Sequence, residues 1–489
     1  MIRRAWAVGA ASLLLAACAV GPSYHEPAVA PDGAALRVKP DSAALRSFYD
    51  SLARTADSVS EQARPPVTGP APLVADSADL HWLEVLRDTT LVGLVRTAVR
   101  ENRDVQTAQA RIREFRAQLG ITRADLLPQL SANGTVSTNQ IAIGAFPPVQ
   151  FDAFRVTADL AWELDFWGRI RRGVQASRAD VQAEEAAYRA TLLSLVSDVA
   201  TAYLGLVELT QEEAIAERTL ASRRSTLALA RDRFARGVIS ALDVHQFEAE
   251  VAVPAASLAQ ARRLRAEREH QLAALVGRLP FDIPAGTDLA GAVQRVQVPD
   301  SIPATLLGRR PDVQIAERTY AASVARIGAA QAARLPTISI TGNYGSQATT
   351  AGDLFTGNTE VYQLQGGISV PLFTGGRLSN QVGVARARSE QARLQFEETV
   401  LQAFREANDA LVAVRTSRDQ RVAQASQVAA LRQAVELAEL RYRGGVASYL
   451  EVLDAQRGLF SAELGLSQAQ LLELGSVVQL FRALGGSWE

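Results

Sequence analysis

Apolar positions return every three or four residues along most of the chain. Leu192, Leu195, Val199, Tyr203, Leu206 and Leu209 form one such series, and Leu401, Phe404, Ala407, Leu411 and Val414 another. This spacing lays a stripe on one face of a helix. No proline occurs between Arg169 and Arg236, so the pattern predicts an unbroken helix there and a second from Arg377 to Arg443. At 1.5 Å per residue each would be roughly 100 Å long, far beyond ordinary globular helices. Each therefore needs a coiled-coil-like partner along its length. Shorter helices are expected before them (about 83–124 and 304–333) and after them (about 241–276 and 449–484), with a kink at Pro254.

Four stretches break this rhythm and alternate strictly. Leu130, Ala132, Gly134 and Val136 are interleaved with Ser131, Asn133, Thr135 and Ser137, and Phe154 to Phe166 continues in the same manner. Ile338, Ile340 and Tyr344, then Tyr362, Leu364, Ile368 and Val370, repeat it. Alternation at period two predicts strands with one apolar and one polar face. Their length suits tilted strands crossing a hydrocarbon layer, apolar side to lipid. A soluble sheet with its apolar face on a core is the other reading of such strands in isolation.

The two series are copies. Asp104-Val105 corresponds to Asp312-Val313, Leu127-Pro128 to Leu335-Pro336, Gly168-Arg169 to Gly376-Arg377, and Gly277 to Gly485, always 208 residues apart. One constant offset marks an internal repeat. The expected divisions are residues 81–280 and 304–489 for the repeats and 281–303 for a linker. Before them lie a signal at 1–17 and an extended segment at 18–80, rich in Pro, Ala and Ser with a short helix near 45–56. Four strands cannot close a membrane barrel, and an open edge in lipid leaves backbone groups unsatisfied. Closure must be shared between chains: two would give a barrel filled by its own side chains, three a twelve-stranded one with an aqueous bore.

Charge and chemistry narrow the function. With 51 basic against 52 acidic residues there is no electrostatic footprint for nucleic acid. Lys39 is the only lysine, and the four histidines lie far apart, so neither a Walker A motif nor a metal cluster can be written, and no cofactor is implied. The chain opens MIRRAWAVGAASLLLAAC, a basic start and an apolar run too short to span a bilayer as a mature helix. It ends at Cys18, the sole cysteine, in a Leu-Ala-Ala-Cys setting that matches a bacterial lipobox. Lipidation of Cys18 is the expectation, and Ala19 after it favours passage to the outer membrane.

The stretches CAVGPSYHEP (18–27), WLEVLRDTTLVGLVRTAVRENRDV (82–105), LDFWGRIRR (164–172), PLFTGGR (371–377) and RYRGGVASYLEVLDAQR (441–457) resemble the TolC-like outer-membrane efflux factors, in particular the OprM/NodT lipoprotein branch. The resemblance covers almost the whole chain. It implies a homotrimer whose twelve-stranded barrel continues into a helical tunnel across the periplasm. It also implies docking on a periplasmic adaptor and an inner-membrane transporter of the RND type. Residues 28–78 are longer than the resemblance leads one to expect.

On this reading the turns at 236–240 and 444–448 are the periplasmic tips, where the resemblance places closure and adaptor contact. Glu451 and Asp454 share a helix face, and under threefold symmetry they would stack as carboxylate rings favouring cations. Glu451 has a second reading, because Ser448-Tyr449-Leu450-Glu451 has the form of a capping box, as does Ser240-Ala241-Leu242-Asp243. Asp454 corresponds to Gln246 in the first copy and lies beyond the cap, which makes it the better gate candidate. Arg441 and Tyr442, with Arg233 and Phe234 as counterparts, are candidates to hold helix pairs together at the closed end, or are a solvated Arg and a packed aromatic. Gly237, Gly444 and Gly445 are expected to supply positive φ to the turns. Alternatives to an efflux channel are the outer-membrane channel of a type I protein secretion system and a structural periplasm-spanning lipoprotein. No nucleophile or metalloprotease motif supports an enzyme.

Overall fold

The computed structural model describes residues 19–25, 27, 35–36, 88–142, 144, 148–284, 289–295, 302–444 and 446–486. Cys18, Gly445 and the expected helix near 45–56 lie outside them. Two helices, α1 (Thr89–Glu101) and α2 (Arg103–Ala124), lead into strands β2 (Gln129–Ile141) and β3 (Val149–Leu164). The 67-residue α3 (Arg169–Ala235) follows, then α4 (Ala241–Val276) and the short α5 (Leu289–Arg295). The second repeat has a 3-10 turn (Ala304–Arg309), α6 (Pro311–Ala332), β5 (Thr337–Ala348), β6 (Glu360–Ser369), the 67-residue α7 (Arg377–Arg443) and α8 (Tyr449–Ala483). A two-residue strand β1 (Ala35–Leu36) pairs with β4 (Ile302–Pro303), tying the N-terminal segment to the linker between repeats.

The four long strands form one antiparallel sheet in the order β2-β3-β5-β6. Its register keeps the parity read from the sequence. Leu130 faces Leu160, Ala158 faces Tyr344, and Tyr344 faces Tyr362, while Ser131 faces Asp159 and Asn343 faces Gln363. One face is therefore apolar over most of its length, giving way to Thr138, Asp152, Ser346 and Glu360 toward the hairpin ends, and it is uncovered: Leu130, Val136, Tyr362, Leu364 and Ile368 are each more than 70% exposed. The other carries a polar ladder in which Asn133 and Thr157 donate to Asp159 and Arg155 donates to Asn343. The sheet joins the repeats through β3 and β5, leaving β2 and β6 as its edges.

Each strand pair passes into its long helix through a glycine in the left-handed region, Gly168 (φ 81°) and Gly376 (φ 82°), a conformation that penalises any Cβ. Asp165 caps α3, accepting from the Ile170 and Arg171 N–H groups at 3.0 and 2.7 Å.

The helices before the strands are each broken once, where a single run was expected. Asn102 ends α1 in an extended conformation, and its side chain accepts from the Asp104 and Val105 N–H groups to start α2. In the second repeat the 3-10 turn ends at Arg310, and Pro311 starts α6. Both breaks are held by the same contact 208 residues apart. Asn102 donates to the Leu275 carbonyl at 2.9 Å and Arg310 to the Ala483 carbonyl at 2.8 Å. The helix α4 runs through Pro254, which is buried, without interruption.

The main core lies where α3 is wrapped by α1, α2, α4, α5 and α8 and contains Tyr203, Leu206, Leu272 and Leu474. Here α3 holds a stretch long and apolar enough to cross a membrane, but two thirds of it is buried within the protein. That apolar band is explained by helix packing. A second core joins the 3-10 turn, α6, α7 and α8 around Phe396, Val400 and Phe404.

Candidate functional site: the helical tip

At the far end from the sheet the two helical hairpins turn. In the first, Gly237 adopts φ 72°, as expected. Ser240 accepts from the Asp243 N–H while the Asp243 carboxylate accepts from the Ser240 N–H and hydroxyl, a complete capping box. These bonds hold the Asp243 carboxyl below its usual range.

The second turn departs from expectation twice. Gly444 ends α7 at φ −75°, in the right-handed region, so it supplies no positive φ. A Cβ there would meet nothing closer than the Leu440 carbonyl oxygen at 3.4 Å. Ser448 makes no side-chain cap. The Glu451 N–H is bonded to the Ser448 carbonyl oxygen, and the Glu451 carboxylate pairs with Arg441 at 3.2 Å. A full positive charge one turn back along α7 competes better for that carboxylate than a backbone N–H. Asp454 is exposed and forms no ion pair among the described residues.

The tip aromatics join the two repeats. Arg233 donates to the Tyr442 hydroxyl, and its guanidinium carbon lies 5.6 Å from the centre of that ring. Tyr442 packs edge-on against Tyr449 at 5.0 Å, and Tyr449 packs against Phe247 at 4.4 Å. Burial pushes the Tyr449 hydroxyl up to about 12. Phe234, the formal counterpart of Tyr442, is 46% exposed and outside this stack. The residues between the hairpins leave a groove of about 450 Å³ whose lining includes Leu229, Ile239, Phe247 and Leu453.

Further up α8, Arg457 forms an ion pair with Glu250 of α4, which also pairs with Arg223 of α3. Arg223 and Glu250 are 5% and 4% exposed. This triad, with Arg223 and Glu250 buried and Arg457 half exposed, clamps the second repeat onto the first. Sequence reasoning missed it, because Glu250 lies 27 residues from Arg223 and 207 from Arg457 and no motif links them. Tyr449 had a usable signal, since it follows a turn and begins a helix, and Phe247 lies in the second turn of α4.

A membrane-type sheet joined to long paired helices that end in a narrow tip is the architecture of an outer-membrane channel. Residues 94–278 and 302–486 match the model of the outer membrane efflux protein family, each match covering one repeat. The chain belongs to that family. It is 35% identical over 436 residues to the probable efflux pump outer membrane protein TtgC of Pseudomonas putida, covering 86% of this chain and 89% of the relative. It is 30% identical over 408 residues to the cation efflux system protein CusC of Escherichia coli, covering 83% and 88%. The open state of the MtrE outer membrane channel of Neisseria gonorrhoeae superposes with a TM-score of 0.78 at 28% identity, covering 96% of this chain and 98% of that one. The protein is thus an outer-membrane channel component of an efflux system.

Proposed function

We propose that three copies of this chain form a closed conduit that passes small toxic compounds from an inner-membrane transporter of the RND type, through a periplasmic adaptor, to the exterior. The carrying observation is the sheet: four strands, two free edges and an uncovered apolar face. Backbone edges in lipid cost several kcal/mol per unsatisfied group, and three copies give the smallest barrel with an aqueous bore. The polar ladder of Asp159, Asn133, Arg155 and Asn343 then faces that bore. The protein acts as a conduit and not as a catalyst.

Cys18 is the lipidated residue on this reading. The Val20 N–H is bonded to the Trp167 carbonyl at the β3–α3 junction, and two residues of chain reach at most about 7 Å. That reach keeps an acylated Cys18 beside the membrane end of the molecule. At the other end Asp454 and Glu451 form the gate. Arg233, Tyr442 and the Arg441–Glu451 pair hold the closed tip, and the turns at Gly237, Gly444 and Gly445 present backbone to the adaptor.

A deletion strain tested by disk diffusion should become hypersensitive to several unrelated toxic compounds. Unchanged susceptibility across a broad panel, with intact trimers in the parent, would sink the efflux reading. Loss of one secreted protein instead would point to type I secretion. In planar bilayers Asp454→Ala should raise single-channel conductance or lower cation selectivity, and no change in either leaves Asp454 a surface acid.

A further inference from the structure

The junction between the two repeats inside one chain is a template for the junction between chains. The repeats are displaced by 208 residues, so the face that the first turns toward the second is written again on the second. Among the described residues α3 packs against α2 and α4 and also against α6 and α8, whereas its counterpart α7 packs against α6 and α8 alone of the long helices. The sheet shows what is missing on that side. Trp162, Glu163 and Leu164 at the end of β3 lie beyond the last partner on β2, Gln129 opposite Ala161, and are strand because Ile338 to Ile340 of β5 hold them. Their counterparts are Val370, Pro371 and Leu372. With no strand on that side β6 stops at Ser369, and Val370 and Leu372 are 50% and 93% exposed.

We propose that a second copy docks on the β6 edge and the free face of α7 in the register of the internal junction, and that the tip opens along this seam between copies while the two hairpins of one chain stay together. This rests on the trimer proposed above, since a head-to-tail contact repeated by rotation closes a ring. In the sheet, the pairing of Ala161 with Thr341 becomes Ser369 with Asn133 of the next copy. That of Leu164 with Ile338 becomes Leu372 with Leu130 of the next copy, itself 76% exposed. Backbone hydrogen bonds carry this part of the seam, so it is as continuous between copies as within one.

The helical end differs. Inside the chain the seam near the tip is held by the Arg223–Glu250–Arg457 triad, the packing of Phe247 on Tyr449 and the bond from Arg233 to Tyr442. Between copies the counterparts of the triad are Leu431, Gly458 and Ala249, and those of Phe247 and Tyr449 are Ala455 and Ala241. Only the last contact keeps its chemistry, with Arg441 facing Phe234 of the next copy. Phe234 lies outside the aromatic stack of its own chain, and Arg441, paired with Glu451 through one nitrogen, is 57% exposed. A guanidinium over that ring gives both a partner. A seam held by one such contact parts before one held by buried charges and stacked rings.

Cys18 is the only cysteine, so engineered pairs in the full-length protein report cleanly. Ser369→Cys with Asn133→Cys should oxidise to covalent trimers on denaturing gels, and Ser369→Cys with Ser131→Cys, out of register, should not. Single-channel conductance in planar bilayers reads the opening. Phe234→Ala, which removes the one contact between copies at the tip, should raise it several-fold. In that background a short bis-maleimide joining Ala455→Cys to Ala241→Cys between copies should cancel the rise, and one joining Phe247→Cys to Tyr449→Cys within a chain should leave it. Native mass spectrometry tests the trimer separately: a monomer would take down that reading and this one together. Trimers that fail to cross-link at Ser369 and Asn133 would overturn the proposed register with the trimer intact. Unchanged conductance in folded Phe234→Ala, or a rise cancelled equally by the bridge within a chain, would overturn the opening between copies.

Discussion

In each helical hairpin an ion pair ties the long helix to the shorter one after it. In the first repeat Glu213 of α3 holds Arg265 of α4, and in the second Arg421 of α7 holds Glu473 of α8. The four residues occupy equivalent positions, offset by 208, and the charges are reversed. The breaks at Asn102 and Arg310 are a parallel case, with an amide in one repeat and a guanidinium in the other satisfying equivalent carbonyls. What the repeats share is the geometry of a contact, and either chemistry can supply it. Toward the tip the two diverge in kind. Arg223 and Glu250 are matched by Leu431 and Gly458, whose Cα side lies against the Leu431 methyls. The complete cap at Ser240 is matched by an uncapped Ser448.

The largest test of this contrast is the buried Arg223–Glu250 pair. Glu250→Ala strands the Arg223 guanidinium in the interior and should destabilise the protein by roughly 3–5 kcal/mol. Arg223→Leu with Glu250→Gly, which writes the second repeat's pair into the first, should recover most of that loss. Thermal melts of the purified protein decide it, and a double variant as unstable as the single would show that the two sites are not interchangeable. Next comes the reversed pair. Arg421→Glu should cost on the order of 1–3 kcal/mol by placing two acids together, and adding Glu473→Arg, the polarity of the first repeat, should restore at least half. A double-mutant cycle measures that coupling.

The smallest contrast is at the caps. Ser240→Ala should cost about 1 kcal/mol, and Ser448→Ala only a few tenths. The first effect also carries a pH signature. Since the Asp243 carboxyl is held low, the stability its box contributes is present above the ordinary 3.8 and is lost as the pH falls through the lowered value. The difference between wild type and Ser240→Ala should shrink in strong acid, whereas Ser448→Ala should show no such convergence.

The strands, the long helices and the duplication were legible because each is a periodic signal repeated over many residues, and the sheet register preserves the parity of every alternating run. The helix after the first turn begins at Ala241, where the S-x-x-D pattern put it. Breaks were harder. The apolar spacing continues across Asn102 and Arg310, and only a capping asparagine and a proline at the first helical position mark them, signals that periodicity outweighed. The capping box at Ser448 failed for a different reason: sequence pattern cannot weigh a distant competitor, and Arg441 takes the carboxylate.

The reversed ion pairs bear on how the chain avoids confusing its own halves. Two hairpins of nearly equal length, built from one ancestral pattern, could in principle exchange partners while folding. If α8 took the place of α4 beside α3, Glu213 would meet Glu473, and if α4 took the place of α8 beside α7, Arg421 would meet Arg265. Only the native pairings bring opposite charges together, so the inversion of sign serves as an address that distinguishes each helix's own partner from its twin's.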